Sequence, residues 1–551
     1  MTIKDMLAAF STRKTPQHLP IPGEAQVRDD AGGYTFAVDD WVRLDRFLVL
    51  GSDAPTYYAT ARALTRDNAA AVERCVRADG LRTVRRIVEI SEAGRAPRND
   101  PAIFALAMCM KLGDEPVRKA AQQIVPRVCR IGTHLFGLAE AVQGFGGWGR
   151  GTKRAFARWY TDRPPKDLAY QAIKYQRRDG WSNRDVLRLA KPAGFGPDTA
   201  QGAVLHWITK GWDEVGAEPP ADEHLRRIWA FERAKRAESP ADTVRLVREH
   251  DLPRECVRTD HLDDPAVWEA LLQRMPVTAL VRNLARMTTV GLLTPGSDAV
   301  DLVTRKLGDP AALRAARIHP LALLVALKTY QQGHGERRSL RWSPLAPVVD
   351  ALDAAFYTVF QNVPATGGRW LLALDVSGSM CSPNLLGMPG ISPRVATAAL
   401  AMVTAAVEPR HQLVAFTANA VGYGGRWGGG APGLMELELS PRQRLDDVVR
   451  ATSELPFGGT DCALPMVWAK EQKREVDVFV VLTDNETWAG DIHPIQALRA
   501  YRRETGIPAK LVVVAMTSTG FTIADPSDAG CLDVVGFDTA TPALMSDFAT
   551  A

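Results

Sequence analysis

From Val38 to about Val363, apolar residues recur at helical spacing in segments of about three to five turns, separated by Gly, Pro and Asp-Pro breakers. DNAAAVERCVRADG, RTVRRIVEISEAG, PAIFALAMCMKLG, PVRKAAQQIVPRVCR, PLALLVALKTYQQG and PLAPVVDALDAAFYTVFQ are examples. No strand-like alternation interrupts them. Each segment is too short to bury its apolar face alone, so successive pairs must stack. That predicts a HEAT-like α-solenoid, with a helical bundle as the competing architecture. Residues 1–35 are weakly patterned, contain Pro and Gly, and read as an arm draped on the surface. The pattern changes at Asn362-Val-Pro-Ala-Thr-Gly-Gly368. Beyond it the chain predicts strand 370–376, helix 394–407, strand 412–417, helices 441–454 and 462–472, strand 477–483, helix 494–505 and strand 510–516. Such alternation requires a mostly parallel sheet covered on both faces. The chain therefore divides into an arm (1–35), a helical region (36–363) and an α/β domain (364–551).

Two of these strands end in oxygen-rich loops. RWLLALDVSGSM (369–380) runs from an uninterrupted apolar strand into Asp375, Ser377 and Ser379, a D-x-S-x-S spacing. DVFVVLTDNET (477–487) ends its strand in Thr483, Asp484 and Asn485, and FGGTDCALPMVWA (457–469) presents Thr460 and Asp461 at a Gly-Gly turn before a helix. A carboxylate with hydroxyls is a hard donor set, suited to Mg²⁺ or Mn²⁺ and not to zinc. The carboxyl ends of parallel strands are also where open α/β sheets collect ligands. Cys381 and Cys462 lie beside these oxygens, but thiolates are poor partners for a hard ion, and both read as small residues.

The order β–DxSxS–α…GGTD…β–TDN resembles a von Willebrand factor A domain with a metal-ion-dependent adhesion site. The resemblance makes Asp375, Ser377, Ser379, Thr460 and Asp484 the ligands of a divalent cation, most simply Mg²⁺. Some would bind directly and some through water, leaving a position for an acidic group of a partner.

Composition adds a compartment and a charge asymmetry. A 46% hydrophobic and 24% charged chain of 551 residues is ordinary for a multidomain globular protein. Seven cysteines, an odd number without a C-x-x-C pair, speak against a disulfide framework or a zinc cluster. The first residues lack a signal-peptide core, and no apolar run approaches the length of a membrane span. A cytoplasmic location is the expectation, with no membrane partner. The net charge of +4 conceals −6 from Thr366 onward and +10 before it. The positive half is the one suited to a polyanion.

That charge is concentrated in residues 118–191, which hold 16 Lys and Arg against 5 Asp and Glu. Arg150, Arg154 and Arg158 fall at i, i+4, i+8 of one helix face. Lys174, Arg177 and Arg178 fall at i, i+3, i+4, and Arg184, Arg188 and Lys191 at i, i+4, i+7. His134, Phe136, Trp148, Trp159, Tyr160, Tyr170, Tyr175 and Trp181 are interleaved, most of them read as core. Basic faces that cannot neutralise one another call for an external anion, and RNA fits; DNA is not expected.

DRFLVLGSDAPTYY (45–58), VCRIGTHLF (128–136), WGRGTKRAFARWY (148–160) and KYQRRDGWSNRDVLRL (174–189) are similar to the TROVE module of Ro ribonucleoproteins. GGTDCALPMVWA, DVFVVLTDNETWAG and MTSTGFTIADPSDAGCLDVVGFDT (516–539) resemble the A-type domain of the same family, in its bacterial branch. The resemblance implies a ring of HEAT-like helices closed by the A-type domain. Its outer basic face would hold a small noncoding Y RNA, and its hole would accept single-stranded 3′ ends of misfolded RNAs. A 3′-to-5′ exoribonuclease such as polynucleotide phosphorylase becomes a candidate partner. Lys174 and Arg178 match the family's KYxxR contacts to Y RNA. Lys191 replaces a vertebrate His, keeping charge but losing imidazole stacking, and Glu140 replaces a Gln and would repel phosphate. His134, Arg150, Arg154 and Arg188 complete the candidate RNA contacts.

Two other function classes are weaker. An adhesion-like module would use the metal site alone, leaving the basic half incidental. A magnesium nuclease would need two ions clamped by several carboxylates, whereas this site offers only Asp375 and Asp484. No catalytic Ser-His-Asp or Cys-His order stands out, so a binding protein and not an enzyme is expected.

Overall fold

The computed structural model describes residues 14–51, 64–66, 69–193, 196, 198–212, 215–216, 218–335, 340–360, 365–381, 384–385, 388–389, 391–418, 433–440, 443–453, 458–517, 519–538 and 540–551. Part of the motif at 45–58 lies outside the described residues, as does nearly all of GYGGRWGGGAPG (422–433), whose glycines read as a solvent loop and whose Arg426-Trp427 pair is assigned no role.

Residues 14–37 are not draped on the surface. β1 (Gln26–Arg28) pairs antiparallel with β2 (Tyr34–Ala37), and Gln17, Asp29 and Thr35 are buried. Two residues after β2 the Asp39 carboxylate accepts the Val42 amide and caps helix Asp40–Leu50, which stops at Gly51 in the left-handed region. From there to Thr358 the described chain is almost wholly helical, and consecutive helices pack side by side. Helix Ala70–Ala93 lies against Asp100–Leu112, and Asp100–Leu112 against Gly132–Gly144. At the far end Pro320–Gln331 lies against Ala346–Thr358. The array closes on itself. Arg317, just past helix Pro310–Ala316, donates to the Glu92 carbonyl at 3.1 Å, and the His319 ring meets the Arg95 carbonyl at 3.2 Å. Solenoid and ring are thereby one object.

One interruption was not expected from the sequence pattern. Helix Pro165–Lys174 ends before Arg177 and Arg178, which form β3 (Arg177–Arg178) against β4 (Trp181–Ser182). Asp179 and Gly180 both have positive φ, 51° and 81°, as a two-residue hairpin turn demands. Lys174 therefore does not share a helix face with Arg177 and Arg178. Lys191 likewise lies just beyond helix Asn183–Ala190, capping it in the left-handed conformation.

The α/β half is a six-stranded sheet. β5 (Trp370–Asp375) pairs parallel with β8 (His411–Phe416) on one side and β10 (Val478–Thr483) on the other. β6 (Asn384–Leu385) and β7 (Met388–Pro389) form a small hairpin in between. β9 (Leu434–Glu436) adds an antiparallel edge to β8, while β11 (Lys510–Ala515) and β13 (Cys531–Val535) extend the parallel side. β12 (Phe521–Thr522) leaves this sheet and pairs with β2. β5 and β10 are buried along their whole length, as their unbroken apolar runs require. Helix Pro393–Val407 packs on β5, and helix Leu464–Glu471 packs on β8 and β10. Helix Pro494–Thr505 packs on Leu464–Glu471. The predicted helix 441–454 is Leu445–Ser453, and the edge strand β9, the strand β13 and helix Thr541–Thr550 had no counterpart in the prediction.

The two halves share a buried polar seam. Arg46, fully buried on helix Asp40–Leu50, donates to the Thr519 carbonyl, to the Phe521 carbonyl at 3.0 Å and to Asp533 at 2.8 Å. Arg95 pairs with buried Asp538 at 3.2 Å, and Phe356 stacks on Phe537 with centroids 6.1 Å apart.

Candidate RNA interface and candidate metal site

Strand register places the metal candidates. Asp375 ends β5, with Thr483 at the end of neighbouring β10. The Thr483 hydroxyl donates to Asp375 Oδ2 at 2.7 Å and the Ser377 amide donates to Oδ1 at 2.8 Å. The Ser377 and Ser379 hydroxyls are 2.8 Å apart. Asp484 follows Thr483; its Oδ1 accepts the Glu486 amide at 3.2 Å. Its Oδ2 is buried without a hydrogen-bond partner of ordinary geometry among the described residues. The Thr460 loop arrives from the β8 side. Thr417 Oγ1 donates to the Gly459 carbonyl at 2.8 Å, and the Thr460 carbonyl accepts the amides of Trp488 and Ala489. The loops carrying all five candidates thus meet at one end of the sheet, by the switch point between β5 and β10, whose onward connections run in opposite directions to β8 and β11.

The electrostatics suit a cation. Burial raises the Asp375 carboxyl above its usual range, against the hydrogen bonds of Ser377 and Thr483 and the charge of Arg394. Burial raises Asp484 further, with Asp375 and Glu486 adding repulsion and the Ser379 hydroxyl offsetting part of it. Glu486 is pushed up to about 7 by burial and by Asp29, Asp30 and Asp375. Two buried carboxylates in mutual repulsion, one with an orphan oxygen, beside serine and threonine hydroxyls, fit Mg²⁺ or Mn²⁺. Among the described residues no three His, Cys, Asp or Glu gather as a metal cage, so such an ion would rely on hydroxyl and water oxygens. Burial holds the Cys462 thiol protonated, with Asp375 adding to it, which removes it as a ligand. Arg394 and Glu486 were not singled out in the sequence, and Thr483 was named in its loop but not as a ligand. Thr483 was legible in the T-D-N loop, but nothing local marks the other two.

The basic candidates fall on exposed ground with two exceptions, Lys174 and His134, both half-buried. Arg150, Arg154 and Arg158 are exposed on helix Arg150–Thr161, and Arg184, Arg188 and Lys191 are exposed on and beside helix Asn183–Ala190, which packs against it. Among the described residues none of these six forms an ion pair with a carboxylate. Arg154 and Arg158 line a cleft of about 440 Å³ with Lys119, Gln122, Pro192 and Ala193. Arg178 stands exposed on the hairpin, near Asp100 at 3.6 Å and Asp179 at 3.2 Å. Lys174 lies between the Tyr170 and Tyr175 rings, 5.3 and 5.4 Å from their centroids. Glu140 is not aimed at a ligand. It accepts the Trp181 indole at 2.7 Å and holds the hairpin. His134 differs in charge as well: partly buried beside Asn99, its pKa is lowered to about 4 by burial and by Arg130. At neutral pH it is an uncharged packing residue, not a basic contact. Phe136, Trp159 and Tyr160 are core, as expected, and Trp148 stacks on Trp181 at 5.7 Å.

Comparison with known proteins agrees across both halves. The TROVE domain model matches residues 27–216 and 230–329, and the Ro60 vWA domain model matches 369–549. The chain belongs to the Ro60 family. It is 40% identical to the RNA-binding protein RO60 of Deinococcus radiodurans over 550 residues, 99% of each chain. It is 34% identical to the RNA-binding protein RO60 of Caenorhabditis elegans over 610 residues, covering 98% of this chain and 92% of that one. The crystal structure of the Deinococcus radiodurans RO (RSR) protein superposes with a TM-score of 0.71, covering 93% of this chain and 99% of the other. Membership fixes the architecture, a helical ring with an A-type domain, and RNA binding as the family's named property.

Proposed function

We propose that this Ro60-family chain docks a Y RNA on its exposed basic face and threads single-stranded 3′ ends of misfolded noncoding RNAs through its ring. It would then present them to a 3′-to-5′ exoribonuclease such as polynucleotide phosphorylase. The supporting observation is the row of exposed basic residues on helices Arg150–Thr161 and Asn183–Ala190 that have no carboxylate partner among the described residues. Their charge is left for phosphates. A ring wall built of helices admits a single strand more readily than an A-form duplex. Competition between an RNA with a single-stranded 3′ tail and a blunt duplex of the same sequence tests the threading; equal affinity would sink it. Cys75, Cys109, Cys129, Cys256, Cys462 and Cys531 are free, which supports a reducing cytoplasm.

The A-type half supports a second, compatible role. Asp375, Ser377, Ser379, Thr460 and Asp484 would hold Mg²⁺, which when bound offers an open position to a protein carboxylate. The orphan Asp484 oxygen favours this reading. The half is acidic overall, so a protein partner suits it better than RNA.

A further inference from the structure

We infer that Gln17 is a positioning residue of the candidate metal site, joining the two loops that carry Thr460 and Asp484. The inference rests on the metal reading of that site. Gln17 lies more than 440 residues from either loop, yet it is fully buried between them and both ends of its amide are used. Its Nε2 donates to Asp461 Oδ1 at 2.6 Å and to the Ile492 carbonyl at 2.9 Å. Its Oε1 accepts the Thr487 hydroxyl at 2.7 Å and the Gly490 amide at 3.1 Å. Asp461 adjoins Thr460 and also accepts the Ala463 amide, fixing the turn before helix Leu464–Glu471. Thr487 follows Asp484 by three residues, and its hydroxyl accepts the Cys462 amide at 3.1 Å, tying the same two loops a second time.

The backbone around Gln17 reinforces the bridge. Gln17 donates its amide to the Gly490 carbonyl, and the Tyr34 amide donates to the Gln17 carbonyl. Asp29 takes the Thr487 amide at 3.1 Å on one oxygen and the Gly33 amide at 2.7 Å on the other. Gly33 and Gly490 have no room for a side chain: a Cβ on the first would strike the Thr487 carbonyl, and on the second Asp461 and Gln17. Asp375 is held by strand pairing from within the sheet. Asp484 and Thr460 lie on loops, and their spacing depends on what crosses between those loops. Groups behind metal ligands set their orientation and commonly govern affinity by about 10–100-fold.

The test is Mn²⁺ titration of the full-length protein, followed by the free-ion EPR signal, with melting in EDTA as a separate measure of folding. Wild type is expected to bind one Mn²⁺. Gln17→Met keeps the side-chain volume but loses all four hydrogen bonds, and it should weaken Mn²⁺ affinity at least about tenfold. A folded Gln17→Met protein with wild-type affinity overturns the inference, even if its melting temperature falls equally with and without Mn²⁺. If Gln17→Met does not fold, Thr487→Val removes one of the same bonds and should lower affinity in the same direction; unchanged affinity overturns the inference equally. Absence of Mn²⁺ binding by wild type overturns the metal reading itself, and this inference with it.

Discussion

At the scale of single residues, two groups of side chains respond to solution conditions in opposite senses. Asp375 and Asp484 have folded pKa values above their unfolded ones. Without metal they therefore favour the fold at low pH, and that contribution is lost as pH rises through the raised values. Asp375→Asn should abolish Mn²⁺ binding yet melt in EDTA no lower than wild type, because the neutral amide removes the repulsion at Asp484. A lower melting temperature in EDTA would mean that the carboxylate is structural. His134 and His319 behave conversely, both lowered to about 4 chiefly by burial. Their contribution is complete above about 6.5 and lost as pH falls through about 4. Urea midpoints measured from pH 7 to pH 4 should fall less steeply in His319→Asn than in wild type. Because His134 is uncharged at neutral pH, His134→Asn should leave the salt dependence of RNA binding unchanged.

At the scale of elements, the hairpin β3–β4 carries the clearest expectation. Gly180 has φ 81°, so Gly180→Ala imposes a cost of about 1–2 kcal/mol on the turn without changing any charge. It should weaken Y RNA binding while leaving the salt slope unchanged, whereas Lys174→Ala with Arg178→Ala should make the slope shallower by up to about 1.8. Filter binding between 50 and 200 mM salt, a range of about three to five decades in affinity for six to ten phosphate contacts, separates the two. The same hairpin shows how far sequence reasoning reached. R-R-D-G-W-S contains the Asp-Gly hairpin signal, but the Lys174-Arg177-Arg178 spacing also satisfied a helix, and a two-residue strand is too short for alternation to register. The all-apolar strands β5 and β10 were legible to within a residue because burial on both faces leaves an unbroken run. So were the four candidates at their ends, Asp375, Ser377, Ser379 and Asp484, since D-x-S-x-S and T-D-N are local patterns. Gln17, Asp29 and Arg46 were not legible. Each acts across more than 450 residues or from a segment with no periodicity, and local patterning carries no trace of such a partner.

At the scale of the whole molecule, the halves are separate in charge but fused in structure. Asp375→Asn should leave Y RNA affinity within about twofold of wild type, since the basic face lies in the other half and screening acts within about 8 Å at physiological salt. A parallel loss of RNA and metal binding in a folded protein would refute this division. The seam is different. Arg46→Met leaves half-buried Asp533 and two carbonyls without their cation, at a cost of up to about 3–5 kcal/mol, and thermal melts should resolve two transitions where wild type shows one. The depth at which residues 14–37 lie within the A-type half also has a consequence for biosynthesis. The ribosome releases Gln17 early, and Gly490 follows 473 residues later. At about 5–20 residues per second that is a wait of roughly 25–95 s. During it the helical ring can form and β1 can pair with β2, but Gln17 and Asp29 lack their partners in the A-type half. A late step of folding is then the capture of residues 14–37 by the loops that hold Asp461, Thr487 and Gly490. A nascent chain arrested before residue 460 should be cut by protease within residues 14–37, and the released full-length protein should not.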